Sequence, residues 1–414
     1  MYKKILKETI WSFITKIVTF ILLFLLNIFL ARSLGVNSYG IWSFFFSIFT
    51  IILIISNFGI NASTKKFVAQ YKGTENQSQV ILLSFLLRVF FSLLIIFIIY
   101  IFYKPLIIFL SKPEINKLIL YSIPLIFFSS IVEYLKETFG GLHILKYNFY
   151  INFTEYSIKL LLILVFINKI SKLESILDIF TISTIITSIL GIFILFHSFY
   201  KKTDNHLSKK YFIRELFNYS MPLFFTSIGF IIATELDTVM IGMIKGQYQV
   251  GIYSGAKKII DNFPQISYAI AMGVMPIFAK INYENKANLK IIFYRILKFN
   301  TILFLTFSIF LLFFSPNIIP LIYGNQYLAS VRTTQLLIPY LLIFSYSIIF
   351  SSYLDFIGKA KKRAINITIA IIINVILNIL LIPRYGANGA AVASSISFLP
   401  YIILNWWEIK KTFI

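Results

Sequence analysis

The residues with the greatest chemical potential in this chain are ionisable side chains set inside long apolar runs. Lys16, Arg88, Lys159, Glu155, Asp237 and Asp261 all lie in or at the edge of such runs. A charge in a hydrocarbon environment is costly, so it usually faces a cavity, a partner or a substrate path. At about 100° per residue, Thr9, Ser12, Lys16, Thr19 and Asn27 fall within roughly 80° of arc on one helix. That polar stripe with one cation suits a water-filled cavity that admits an anionic group. The competing reading is that Lys16 snorkels to the interface. Ser84, Arg88 and Ser92 recur at i, i+4 and i+8. A guanidinium fork matches a phosphate bidentately; the alternative is an Arg that only anchors its helix near one membrane face.

Further along, Asn148, Asn152, Glu155 and Lys159 share a face. Glu155 and Lys159 are one turn apart, so they form either an internal ion pair or a switch that opens when an anion competes for Lys159. Asp237 sits near the end of its run, with Lys257 and Lys258 as available basic partners. Asp261, Gln265 and Tyr268 are expected on one helix face, with Lys257–Asp261 as an i, i+4 pair. These carboxylates belong either to a structural ion pair at a gate or to ion coupling. Asp355 abuts the basic stretch 359–363 and reads as a surface pair, and Asn374 and Asn378 read as interhelical hydrogen-bond donors.

The elements that must position these groups are membrane-spanning helices. Charged residues make up 13% of the chain and hydrophobic residues 58%, at a mean hydropathy of +0.85. A soluble domain carries about 25% charged residues. Polar, Gly and Pro breaks divide the chain into spans near 9–31, 41–63, 80–103, 118–139, 149–169, 175–199, 216–241, 257–280, 297–320, 332–357, 364–382 and 388–408. Each is about the length that crosses a hydrocarbon core. The expected fold is therefore an all-α polytopic membrane protein of about twelve transmembrane helices. The apolar run after Met1–Lys7 is too long for a signal peptide and reads as a retained first helix.

The net charge of +22 does not mark a nucleic-acid binder, because Lys and Arg cluster at helix ends rather than on one face. More than twice as many basic residues fall in the alternate loops that include the N-terminus as in the others, which places both termini in the cytoplasm. Cysteine is absent, and the three histidines have no zinc spacing. No phosphate-binding loop, nucleophile elbow or dinucleotide fingerprint occurs. No catalytic residue, metal or cofactor is expected, and the chain is read as no enzyme.

The chain also repeats. Gly35-Val36-Asn37-Ser38-Tyr39-Gly40-Ile41-Trp42-Ser43 matches Gly246-Gln247-Tyr248-Gln249-Val250-Gly251-Ile252-Tyr253-Ser254, and Ile151-Asn152-x-Thr154 matches Ile365-Asn366-x-Thr368. Both offsets are close to half the chain. A duplicated six-helix unit follows, with halves 1–205 and 206–414 related by a pseudo-two-fold along the membrane normal. Parallel repeats of this kind are common in transporters, whose substrate path lies between the halves.

Several stretches carry a family resemblance: Ala31-Arg32-Ser33-Leu34-Gly35, Asn57-Phe58-Gly59-Ile60, Tyr219-Ser220-Met221-Pro222, Asp237-Thr238-Val239-Met240-Ile241-Gly242, and Ile382-Pro383-x-Tyr385-Gly386-Ala387. Together they resemble the polysaccharide and oligosaccharide-lipid flippases of the multidrug, oligosaccharidyl-lipid and polysaccharide exporter superfamily. The resemblance spans the chain. It implies two six-helix bundles, alternating access, and movement of a lipid-(pyro)phosphate-linked glycan across the cytoplasmic membrane. Membrane lipids and glycosyltransferases of the same pathway are the implied partners. On this reading Lys16, Arg88, Lys159, Asn27 and Asn152 meet the substrate, while Glu155, Asp237 and Asp261 gate or pair. A cation-coupled multidrug exporter is the alternative, although Lys16 stands where such a protein would want a carboxylate. A membrane-embedded polymerase or glycosyltransferase is the alternative of another class; the short outer loops disfavour it.

Overall fold

The computed structural model describes residues 2–103, 105, 113–166, 172–200, 208–264, 266–268, 270–271 and 286–413, the side chains of 2–6, 113, 226, 286–288 and 356 excepted. Among the described residues there are thirteen α-helices, one short 3-10 turn and no strand. The helices are α1 (Tyr2–Asn57), α2 (Ile60–Gln70), α3 (Gln77–Ile101), α4 (Pro113–Tyr121), α5 (Ile123–Gly141), α6 (Lys146–Phe166) and α7 (Leu173–Ser198). They continue with α8 (Lys209–Ile244), α9 (Gln247–Ile260), α10 (Lys286–Tyr323), α11 (Ser330–Phe356), α12 (Ala360–Tyr385) and α13 (Ala387–Phe413). Nine are long and apolar enough to cross a membrane, or ten if α4 and α5, bent by 50°, make one crossing.

The element boundaries depart from the expected spans for identifiable reasons. At 56 residues, α1 is far longer than the roughly 20 that one crossing needs. It breaks at Gly35, whose φ of 70° and ψ of 171° suit only glycine, and so supplies the first two spans. The second span ends at Asn57 rather than continuing to 63; α2 starts afresh after Phe58 and Gly59, both at positive φ. The fourth span is bent at Ser122, with Pro124 in the first turn of α5, where its missing N–H costs nothing. The eighth span opens with α9, which stops at Ile260, and residues 261–263 form turns. The shared face expected for Asp261, Gln265 and Tyr268 is therefore interrupted. Gln265, Pro276 and the last part of that span lie outside the described residues, as do the end of the fifth span and most of the basic stretch around 201–207.

The described chain forms two compact units. One contains residues 1–33 and 45–231; the other contains 34–44 and 232–414. The first unit is built around Phe67, Ile81, Tyr134, Leu135, Phe139 and Phe212, all fully buried. Trp11 of α1 packs on Phe149 of α6 at 5.4 Å, and Glu8 accepts the Leu145 backbone N–H at 2.6 Å. These contacts tie the start of α1 to the start of α6. The second unit has an aromatic core of Phe293, Phe350, Tyr353 and Trp406 at one end, where α10, α11 and α13 meet.

The repeat has a structural counterpart. Gly246 has φ 87° and ψ −178°, close to the conformation of its mate Gly35, and each opens a helix. Asn152 and Asn366 each lie six residues past the first residue of their helices, α6 and α12.

Candidate transport site

In the first unit, the intramembrane charges converge. Arg88 projects from α3 and is 0% exposed. Its guanidinium donates to the carbonyl of Ser56 and, at 3.2 Å, to the carbonyl of Ser130, and lies 3.5 Å from Glu133 of α5. Asn61 of α2 donates to the same carboxylate at 3.3 Å. Flanking Arg88, Ser92 bonds Ser130 at 2.7 Å, while Ser84 returns its hydroxyl to its own helix. Arg88 was expected to offer its fork to phosphate. In this arrangement the fork is turned into protein, because backbone carbonyls and a carboxylate satisfy a charge that lipid could not.

One turn further along α5, Lys136 reaches Glu155 of α6 at 3.3 Å. Lys159 reaches the other oxygen of Glu155 at 2.5 Å. The expected Glu155–Lys159 pair is present, but it is a triad with one cation in excess. Lys159 also faces the ring of Phe180 on α7 at 4.8 Å. Glu155 and Lys159 are buried, while the Lys136 side chain keeps 23% exposure. Lys136 is therefore the most accessible member of the triad.

Lys16 and Thr9 are exposed, and Ser12, Thr19 and Asn27 are partly so. The apolar residues around them, Phe13, Ile17 and Ile21 among them, are exposed too. This part of α1 thus presents an apolar face and a polar stripe at once. Asn27 donates to the Leu23 carbonyl and Asn152 to the Asn148 carbonyl, so both amide groups are used within their own helices.

The second unit is organised by Asp237 of α8, which is 3% exposed. Its carboxylate accepts from Asn378 of α12 at 2.6 Å, from Ser394 of α13 at 2.5 Å and from the Tyr253 hydroxyl of α9 at 2.8 Å. Asn378 also donates to Asn374, which donates to Ser397 at 3.4 Å. The expected interhelical role of the two asparagines is what the structure contains. The expected basic partner of Asp237 is not among these bonds: Lys257 instead donates to the Thr234 carbonyl and lies 3.8 Å from Asp261. Asp355 pairs with Arg363 at 2.7 Å at the end of α11. No group of three or more His, Cys, Asp or Glu side chains able to hold a metal occurs among the described residues.

Sequence reasoning missed Glu133, Lys136, Tyr253 and Ser394. The first two were legible: Ser130, Glu133 and Glu137 recur at i, i+3 and i+7 in the fourth span, and Lys136 follows Glu133 by three. Tyr253 stood inside the repeated motif, paired with Trp42. Ser394 carried no signal, since a serine in a run of small residues reads as packing.

Two compact units built of membrane-length helices, each with buried charges, are the arrangement to set beside known proteins. Residues 5–282 match the family described as polysaccharide biosynthesis protein, and residues 222–380 match the MatE family. The chain belongs to the polysaccharide biosynthesis protein family, within the superfamily of multidrug, oligosaccharidyl-lipid and polysaccharide exporters. It is 25% identical over 193 residues to the probable low-salt glycan biosynthesis flippase Agl15 of Haloferax volcanii, covering 46% of this chain and 41% of that protein. It is 26% identical over 199 residues to an uncharacterised membrane protein of Methanocaldococcus jannaschii, covering 48% and 46%. The matches thus span less than half the length of these curated relatives.

Among solved structures, the fold resembles an inward-facing multidrug resistance transporter of the MATE family, with a TM-score of 0.78 at 15% identity over 95% of both chains. It also resembles the lipid II flippase MurJ in its inward closed conformation, with a TM-score of 0.74 at 19% identity over 99% of this chain and 89% of that one. A superfamily transporter from Pyrococcus furiosus, described by the reverse polarity of its binding pocket, gives 0.71 at 16% identity over 99% and 95%. At these identities the likeness shows the fold.

Proposed function

We propose that this chain moves a lipid-(pyro)phosphate-linked glycan across the cytoplasmic membrane by alternating access, with both termini in the cytoplasm. The observation that carries this reading is the excess of cations in the charge cluster of the first unit. Arg88, Lys136 and Lys159 stand against Glu133 and Glu155, and Lys16 adds a further cation on the exposed part of α1. A basic interior favours an anionic cargo and repels a cationic drug. The names of two similar proteins, a glycan biosynthesis flippase and a lipid II flippase, support the same substrate class.

In this account the phosphate meets Lys16 and Lys136 first. It then competes with Glu155 for Lys159, because charge-assisted bonds to phosphate are strong and a displaced carboxylate can keep its second lysine. Arg88 acts through Glu133, its own atoms being enclosed. Asn27 and Asn152 line the path beside the glycan. Asp237, the buried carboxylate held by neutral donors, serves as the gating group of the second unit, and the Lys257–Asp261 pair closes beside it. The lipid tail stays in the bilayer throughout.

The test is movement of a fluorescent polyprenyl-diphosphate-linked oligosaccharide in reconstituted vesicles, beside a neutral polyprenyl glycoside. The diphosphate compound should move and the neutral one should not. Equal movement of both would remove the basis for phosphate capture.

A further inference from the structure

The two copies of the repeated glycine motif touch each other, and they do so reciprocally. A Cβ placed on Gly40 would run into the carbonyl of Gln247 and come within 2.9 Å of the Gly251 nitrogen. A Cβ placed on Gly251 would run into the carbonyl of Val36 and come within 2.8 Å of its side chain. The repeat offset that carries Gly40 onto Gly251 also carries Val36 onto Gln247. Each copy therefore presses its glycine against the same carbonyl position of the other, as in an isologous contact.

The surrounding contacts also join these segments. Gly242 lies under the ring of Phe44, and Tyr39 packs edge-on against Tyr327 at 6.1 Å. Leu34–Phe44 accordingly belongs to the second compact unit, while the residues on either side of it belong to the first. The segment begins a helix that runs from Val36 to Asn57, about 33 Å at 1.5 Å per residue and so close to one membrane thickness.

Backbone-on-glycine packing has a particular energetic character. It gains dispersion and weak Cα–H···O contacts at close approach, without a desolvated ion pair or interlocked large side chains at its centre. Parting it uncovers two glycines and two carbonyls. Restoring it requires no search among rotamers, since glycine has none. A contact that must form and break repeatedly is well served by such a surface.

We infer that Gly40 and Gly251 are positioning residues for transport: their reciprocal contact is a latch that parts and re-forms in each cycle. The inference rests on the transporter reading but not on the identity of the cargo, and its test uses no cargo.

The chain has no cysteine, so one introduced thiol reports without background. Ser43 and Ser254 follow the two latch glycines by three residues and are 8% and 4% exposed. Single Ser43→Cys and Ser254→Cys chains are reconstituted and labelled with a membrane-impermeant maleimide from either face. Ser188→Cys, at a 0% exposed position of α7, serves as the control thiol. The latch predicts slow labelling of both reporters from one face only, faster than the control. Adding Gly251→Ala to Ser43→Cys, or Gly40→Ala to Ser254→Cys, overpacks the closed form alone and should speed that labelling about tenfold.

Gly141 is the packing control. A Cβ there would meet the Lys65 carbonyl at 2.6 Å, wholly within the first unit. Gly141→Ala should reduce abundance without opening either reporter. The latch is overturned if the reporters in the otherwise unaltered chain label no faster than Ser188→Cys. It is equally overturned if Gly40→Ala and Gly251→Ala behave as Gly141→Ala does, losing abundance with no face-specific labelling.

Discussion

The amide of Asn378 donates to the carboxylate of Asp237 at 2.6 Å, joining α12 to α8 across 141 positions of sequence. Tyr253 and Ser394 complete the set from two further helices. Four helices thus share one buried charge whose hydrogen bonds come from neutral groups. A carboxylate so placed has a cost in the folded state, and that cost is reason to look for its role in the working cycle.

Asp237→Asn removes the charge and keeps the volume and most hydrogen bonds. It should leave the thermal midpoint in detergent close to that of the parent or above it, while translocation falls about tenfold or more. Asp237→Leu should instead lower the midpoint, because three donors lose their acceptor at about 1–3 kcal/mol each. Parent-like transport by Asp237→Asn would show that the cluster is only a fastening.

Glu155 neutralises one of the two lysines that reach it. Glu155→Gln should destabilise the protein by roughly 3–5 kcal/mol, since it strands buried cations. Adding Lys159→Met should recover part of that loss, because it removes one stranded cation and its repulsion with Lys136. A double-mutant cycle on unfolding free energy measures the coupling; a coupling near zero would contradict the triad.

Arg88→Lys should be poorly tolerated. Lysine cannot span the Ser56 and Ser130 carbonyls and Glu133 together. Reduced abundance and a lower thermal midpoint are expected, whatever the cargo. A variant of parental stability that loses only affinity for the diphosphate compound would return Arg88 to direct substrate contact.

Topology has its own check. Tags inserted at Ser208 and after Phe413 should be reached from the cytoplasmic face, and a tag at Gln247 from the other. Tags at 208 and 413 on opposite faces would break the arrangement of two six-helix halves.

Much of the fold was legible because the bilayer imposes a single rule, that apolar runs of membrane length become helices. The breaks were less legible. Gly35 and Gly246 announced themselves as a repeated pair, but the stop at Asn57 depends on Phe58 adopting positive φ, which no pattern in that stretch indicates. In the site, pairs on one helix such as Glu155 and Lys159 could be read from spacing. Lys136 and Glu133 could not be joined to them, because contact between α5 and α6 is a matter of tertiary packing. The same holds for Asp237: its position was readable, but its neutral partners lie on three other helices and its nearest basic residues turn elsewhere.

The most direct test of phosphate capture is the response to charge at position 16. Fluorescent polyprenyl-diphosphate-linked oligosaccharide is followed in vesicles holding equal amounts of the parent, Lys16→Ala or Lys16→Glu. The account predicts a large loss for Lys16→Ala and a larger one for Lys16→Glu, which repels the phosphate, with insertion and abundance unchanged in both. Normal translocation by Lys16→Glu at normal abundance would contradict it and leave Lys16 as an interfacial anchor.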